Sequence, residues 1–165
     1  MTAPLQGLAD TTERADFPSL GNRYLLRSER TGGRLSLIEH TIKPRALAAP
    51  LHTHSREDEY SLVLDGRMGA MIGDVVIEAE PGDLVMKPRG VPHAFWSATD
   101  EETRLLEIIA PGGFDAYFAD LAPVLASPQG PDVERMAEIR ARYGLTVDVT
   151  SIASLSERFG LRPAG

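Results

Sequence analysis

Cysteine is absent from the 165 residues. That excludes disulfides, thiolate metal sites and cysteine nucleophiles. There is no apolar run long enough to span a bilayer, so no membrane partner is expected. A basic stripe is also missing, and the net charge is −7. Nothing here would release counterions from a phosphate backbone, so nucleic acid is not an expected partner either. The first twenty residues lack the basic start and apolar stretch of a signal peptide, and a cytoplasmic location is the expectation. Internal repeats and low-complexity tracts are missing too. With 42% hydrophobic and 25% charged residues, the composition is that of an ordinary globular chain, long enough for one domain with its own core.

Present instead is a series of short apolar or alternating runs, punctuated by turn residues. Residues 23–27, 35–40, 60–64, 67–72, 75–80, 84–87, 91–96 and 104–110 read as strands, with Asp65-Gly66 and Gly73-Asp74 as hairpin turns. This spacing predicts an antiparallel sandwich or barrel. After Pro111-Gly112-Gly113 the period changes. Phe114, Tyr117, Phe118 and Leu121 recur at helical spacing, Asp132 caps a second helix that stops at Gly144, and residues 150–159 read as a third. The predicted organisation is mainly β: an N-terminal arm over 1–20, a barrel over about 21–111 and a helical extension over 112–165.

Three of the four histidines carry the chemistry. His52-x-His54 places two imidazoles on one face of an extended segment, because strand side chains alternate. Glu59 follows five residues after His54, and His93 stands well downstream. One divalent ion could collect all four, although spacing alone leaves Glu57 and Asp58 open as competitors of Glu59. Three imidazoles and a carboxylate suit Fe, Mn, Ni, Cu or Zn without discriminating among them. The fourth histidine, His40, fits no motif and reads as a strand residue with an ordinary hydrogen bond.

The stretch from His52 to Glu59, closed by Gly66, resembles the first cupin motif. Gly82, Pro88, Gly90 and His93 match the second, G-x5-P-x-G-x2-H-x3-N. Ala46 and Ser97 depart from the pattern, standing where the motifs have Gly and Asn, and neither is a ligand position. The resemblance covers about residues 23–109. It implies a double-stranded β-helix, a jelly-roll cupin barrel, with His52, His54, Glu59 and His93 holding one divalent transition metal ion. It further implies a homodimer. Residues 109–118 resemble the last strand and following helix of quercetin-dioxygenase-like single-domain cupins. The expected activity is therefore that of a metal-dependent dioxygenase on a small aromatic or enolic organic substrate, with Glu59 as both ligand and general base. A non-oxidative isomerase, lyase or cyclase on the same site is the alternative, and a non-enzymatic small-molecule-binding cupin stands behind both. The expected pocket residues are Tyr60, Met86, Phe95, Phe114 and Phe118. Trp96 is expected to point outward or to meet the helical extension.

Overall fold

The computed structural model describes residues 9–162. Residues 1–8 of the expected N-terminal arm therefore lie outside the described residues. In chain order the strands are β1 (Leu20–Leu26), β2 (Ser36–Ile42), β3 (Leu47–His54), β4 (Asp58–Asp65), β5 (Met68–Ile72), β6 (Val75–Ala79), β7 (Leu84–Lys87), β8 (His93–Ser97), β9 (Thr103–Ala110) and β10 (Leu145–Asp148). The helices are α1 (Asp115–Leu125), α2 (Val133–Arg142) and α3 (Ser151–Phe159).

Two five-stranded antiparallel sheets form the barrel, in the orders β1-β2-β9-β4-β7 and β10-β3-β8-β5-β6. Neighbours such as β2 and β9 are far apart in sequence, which is the crossing pattern of a double-stranded β-helix. Strict alternation aims one face of each long strand inward. On β2 the buried positions are Ser36, Ile38, His40 and Ile42; on β9 they are Thr103, Leu105, Glu107 and Ile109. Glycine is demanded at two places. At Gly66 the chain turns from β4 to β5 at φ 76°, and a Cβ would lie 2.5 Å from the Glu102 carbonyl oxygen. At Gly69 a Cβ would overlap the Trp96 indole, which crosses β5 at that point.

The interior of the barrel is an apolar cluster that includes Ile42, Val63, Met68, Val85, Phe95 and Leu105. A second cluster joins Tyr24, Ile38 and Ile109 to Phe114, Tyr117, Phe118 and Leu121, so the buried stripe of α1 docks on the first sheet. The Asp115 carboxylate fixes the start of α1 by accepting from Arg27 Nε at 2.8 Å and from the Ser28 backbone N–H. At α2 the Asp132 side chain accepts from the Arg135 N–H, as its capping role requires. Trp96 stacks on Phe159 of α3 with centroids 4.3 Å apart, and so meets the extension.

The extension is not purely helical. Residues 145–148 form β10, which pairs with β3 opposite His52 and His54. Four residues are too few for periodicity to show, and only the unpaired edge of β3 makes them a strand. None of the helices among the described residues is long and apolar enough to cross a membrane.

Candidate metal centre

His52 and His54 leave β3 on its inward side, and His93 opens β8 directly opposite His52 in the ladder. Glu59 comes from β4, in the facing sheet. The quartet thus ties the two sheets together: three imidazoles from one and the carboxylate from the other. All four residues are buried, and their donor atoms lie within 4.8 Å of one another. Alternation excludes Asp58, and Glu57, which precedes β4, faces the other nitrogen of His54. Asp58 points outward to a forked pair with Arg89, and Glu57 sits behind His54 with Oε2 3.5 Å from Nδ1.

Backbone carbonyls set the imidazole tautomers. A carbonyl only accepts, so His52 Nδ1 donates to Pro50 O at 2.7 Å and His93 Nδ1 donates to Val91 O at 3.1 Å. Each Nε2 is left as the free donor atom facing the centre, the arrangement metal-ligating histidines adopt. His54 Nε2 and His93 Nε2 are fully buried and have no hydrogen-bond partner, which an ion would supply.

Charge makes the same case. Lys87, with its side chain wholly buried, places Nζ 3.1 Å from Glu59 Oε2 and 2.9 Å from Glu107 Oε1. Ser61 Oγ donates to the other Glu107 oxygen at 2.6 Å. Lys87 is one cation set between two buried carboxylates, Glu59 and Glu107, and a divalent ion at the quartet would add positive charge beside Glu59, where unpaired charge is costly. Burial pushes the Glu59 carboxyl up, but His54 and Lys87 outweigh it and hold the group well below the usual carboxylate range. Burial and the two neighbouring imidazoles keep His52 neutral, well below its ordinary value. Burial also lowers His54, yet Glu59 and Glu57 reverse that and raise it. The residues present fit a divalent transition metal.

His52, His54 and Glu59 of the quartet open onto a cavity of about 260 Å³, walled by Phe17, Phe95, Phe114, Tyr117, Phe118 and Leu121 among others. The Phe114 ring meets His54 edge-on at 4.4 Å. Of the expected pocket residues, Phe95, Phe114 and Phe118 line this space. Tyr60 and Met86 do not, and that expectation is corrected. They are ladder partners of each other on the positions alternating with Glu59 and Lys87, so they leave by the outer face, with Met86 55% exposed. His40, read as an ordinary strand histidine, also lines the cavity, against Phe95 and Phe118. Lys87 and Glu107 went unnoticed as site residues. The signal was available: both are charges on inward-facing strand positions, two residues from Val85 and Ile109 respectively.

Residues 38–109 match the model of the cupin domain family. Over that stretch the barrel is similar to a cupin domain. Solved structures with the same fold include KdgF from Halomonas sp. (16% identity, 63% of this chain and 90% of that one, TM-score 0.56). A predicted oxalate decarboxylase from Thermotoga maritima is another (18%, 56% and 80%, TM-score 0.53). The polyketide cyclase RemF from Streptomyces resistomycificus matches at 25% identity over 64% of this chain and 80% of that one, with a TM-score of 0.54. No curated protein sequence matches the chain. These structures share the fold of the barrel.

Proposed function

We propose that this cupin is a metal-dependent enzyme that moves protons on a small aromatic or enolisable substrate, in cyclase- or isomerase-type chemistry. One observation carries the reading: His52, His54 and Glu59 face an aromatic-walled cavity that continues to the helices, with a buried Glu59–Lys87–Glu107 chain behind them. The likeness to the polyketide cyclase RemF supports the same substrate class. When bound, the metal supplies Lewis-acid polarisation of a carbonyl or enolate oxygen. The chain's own residues do the rest. Phe95, Phe114 and Phe118 hold a flat substrate and exclude water, which strengthens electrostatics in the site. Glu59 Oε2 is the base that takes a proton next to the carbonyl, and Lys87 Nζ holds that oxygen in place at 3.1 Å.

Proton abstraction predicts hydrogen–deuterium exchange beside a ketone. Zinc-loaded protein, kept anaerobic in D₂O, is expected to accelerate exchange of the α-protons of 2-tetralone, and Glu59→Gln to abolish the acceleration. No exchange above buffer would sink the reading. The dioxygenase expected from the sequence is the second reading, favoured by an apolar wall that admits dioxygen. Oxygen uptake with a flavonol by iron-, manganese-, nickel- or copper-loaded protein, without catalysed exchange, would establish it instead.

A further inference from the structure

Apart from Glu59 and the histidines, the cavity wall carries, among the described residues, a single ionisable side chain of high basicity, Arg140. It projects from α2. The other two arginines of that helix are neutralised: Arg135 pairs with Glu138 at 2.9 Å and Arg142 with Asp120 at 3.0 Å. Arg140 pairs with no carboxylate among the described residues, and its Nε is buried without a hydrogen-bond partner. A buried guanidinium donor left unpaired is costly, and native proteins rarely keep one without a reason. Its position is held firmly. Ile139 beside it is fully buried, Asp132 caps the start of α2, and the Tyr143 hydroxyl donates to Asp120 at 2.7 Å, tying the end of α2 to α1.

Arg140 is also placed relative to the metal quartet. Its guanidinium lies beside the Tyr117 hydroxyl, where it works against the upward push of burial on that group. The Tyr117 ring stacks on Phe114 at 4.7 Å, and Phe114 meets His54 at 4.4 Å. Arg140 thus hydrogen-bonds to Tyr117 but has no carboxylate partner among the described residues, and a row of two aromatic rings separates it from His54 of the quartet along one wall of one cavity.

We infer that Arg140 is a specificity-determining residue that binds a carboxylate at the far end of an aromatic substrate whose reacting oxygen faces the quartet. The guanidinium offers donors in a planar fork that matches a carboxylate, and such bonds gain strength in an apolar surround. A net charge of −7 gives the molecule as a whole no attraction for anions, so a carboxylate in this cavity needs a local cation. This assignment rests on the reading that the cavity takes an aromatic substrate.

The test uses 2-naphthoate and its neutral analogue 2-naphthamide, with binding to metal-free protein measured by calorimetry so that no ion attracts the carboxylate. Wild type is expected to bind naphthoate about tenfold more tightly than naphthamide. Arg140→Gln should erase that preference while leaving naphthamide affinity unchanged, and Arg140→Lys should retain part of it. Naphthamide is the internal control for folding, and the lysine variant decides the matter if the glutamine variant loses naphthamide too. Equal affinity of wild type for both probes, or a preference that survives Arg140→Gln, overturns the carboxylate assignment alone. Failure of either probe to bind wild type overturns the aromatic-cavity reading, and this assignment with it.

Discussion

On one side of Phe95 the inward strand positions of the barrel carry Ile42, Val63, Met68, Val85 and Leu105, packed as an ordinary core. On the other side, equivalent inward positions of the same strands carry Glu59, Ser61, Lys87 and Glu107, joined by His52, His54 and His93 from the facing sheet. Phe95 belongs to both: it packs in the apolar cluster, and Lys87 Nζ lies 4.4 Å from its ring centroid. Both halves are equally buried, so burial does not distinguish them. The first half is stable without help, because apolar groups gain by leaving water. The second is stable only as a set, because each buried charge is tolerated through its partner. One barrel therefore holds a self-sufficient half and an interdependent half, and the chemistry lies in the second.

The largest effect is expected where that interdependence is broken. Lys87→Met removes the cation between Glu59 and Glu107 and leaves two buried carboxylates facing each other. Metal-free protein should lose about 3–5 kcal/mol of stability in urea unfolding. Adding Glu107→Gln should return part of that loss. A full-strength loss in the double variant would mean that Lys87 matters for its packing and not for its charge.

Leu105→Ala, in the self-sufficient half, should cost about 3 kcal/mol by leaving a cavity. This loss should appear equally with and without metal, and metal affinity should stay within a few-fold of wild type. His93→Ala is the counterpart. It should weaken zinc binding by more than about 100-fold, beyond what the loss of an orienting hydrogen bond costs, since it deletes a donor atom. Zinc titration followed by calorimetry, on both variants, checks the pair. A Leu105→Ala protein that loses metal affinity would show that the two halves are not separable.

The difference between the halves also explains what could be read from the sequence. The strand order of runs, the hairpin at Gly73-Asp74 and the α1 stripe of Phe114, Tyr117, Phe118 and Leu121 were legible, because alternation and helical spacing record which side of an element is buried. The quartet was legible through two spaced motifs. Lys87 and Glu107 were missed although their phase with Val85 and Ile109 was there to read, because a charged residue in a strand is taken as solvent-facing until its neighbours fix the phase of the alternation. Tyr60 and Met86 failed by one residue for the same reason: proximity in sequence to Glu59 and Lys87 puts them on the opposite face. The strand β10 was invisible because its stability comes from the edge of β3 and not from its own four residues.

The smallest predicted effect lies at the border between the halves. His40 is buried against Phe95 and Phe118, and burial, followed by the charge of Lys87, lowers its pKa to about 3. The unfolded chain takes a proton at this imidazole below its ordinary value of 6.5, whereas the folded chain does not until about pH 3. The unfolded state thus binds more protons throughout that window, so His40 makes stability fall as pH falls through it and rise as pH rises. From pH 7 to pH 5 the loss from this residue should be about 2 kcal/mol. His40→Gln removes the titration, and the urea midpoint of the variant should fall less over the same interval than that of wild type. Parallel pH curves for the two proteins would place His40 in a solvated setting, and would move the border of the apolar half away from Phe95.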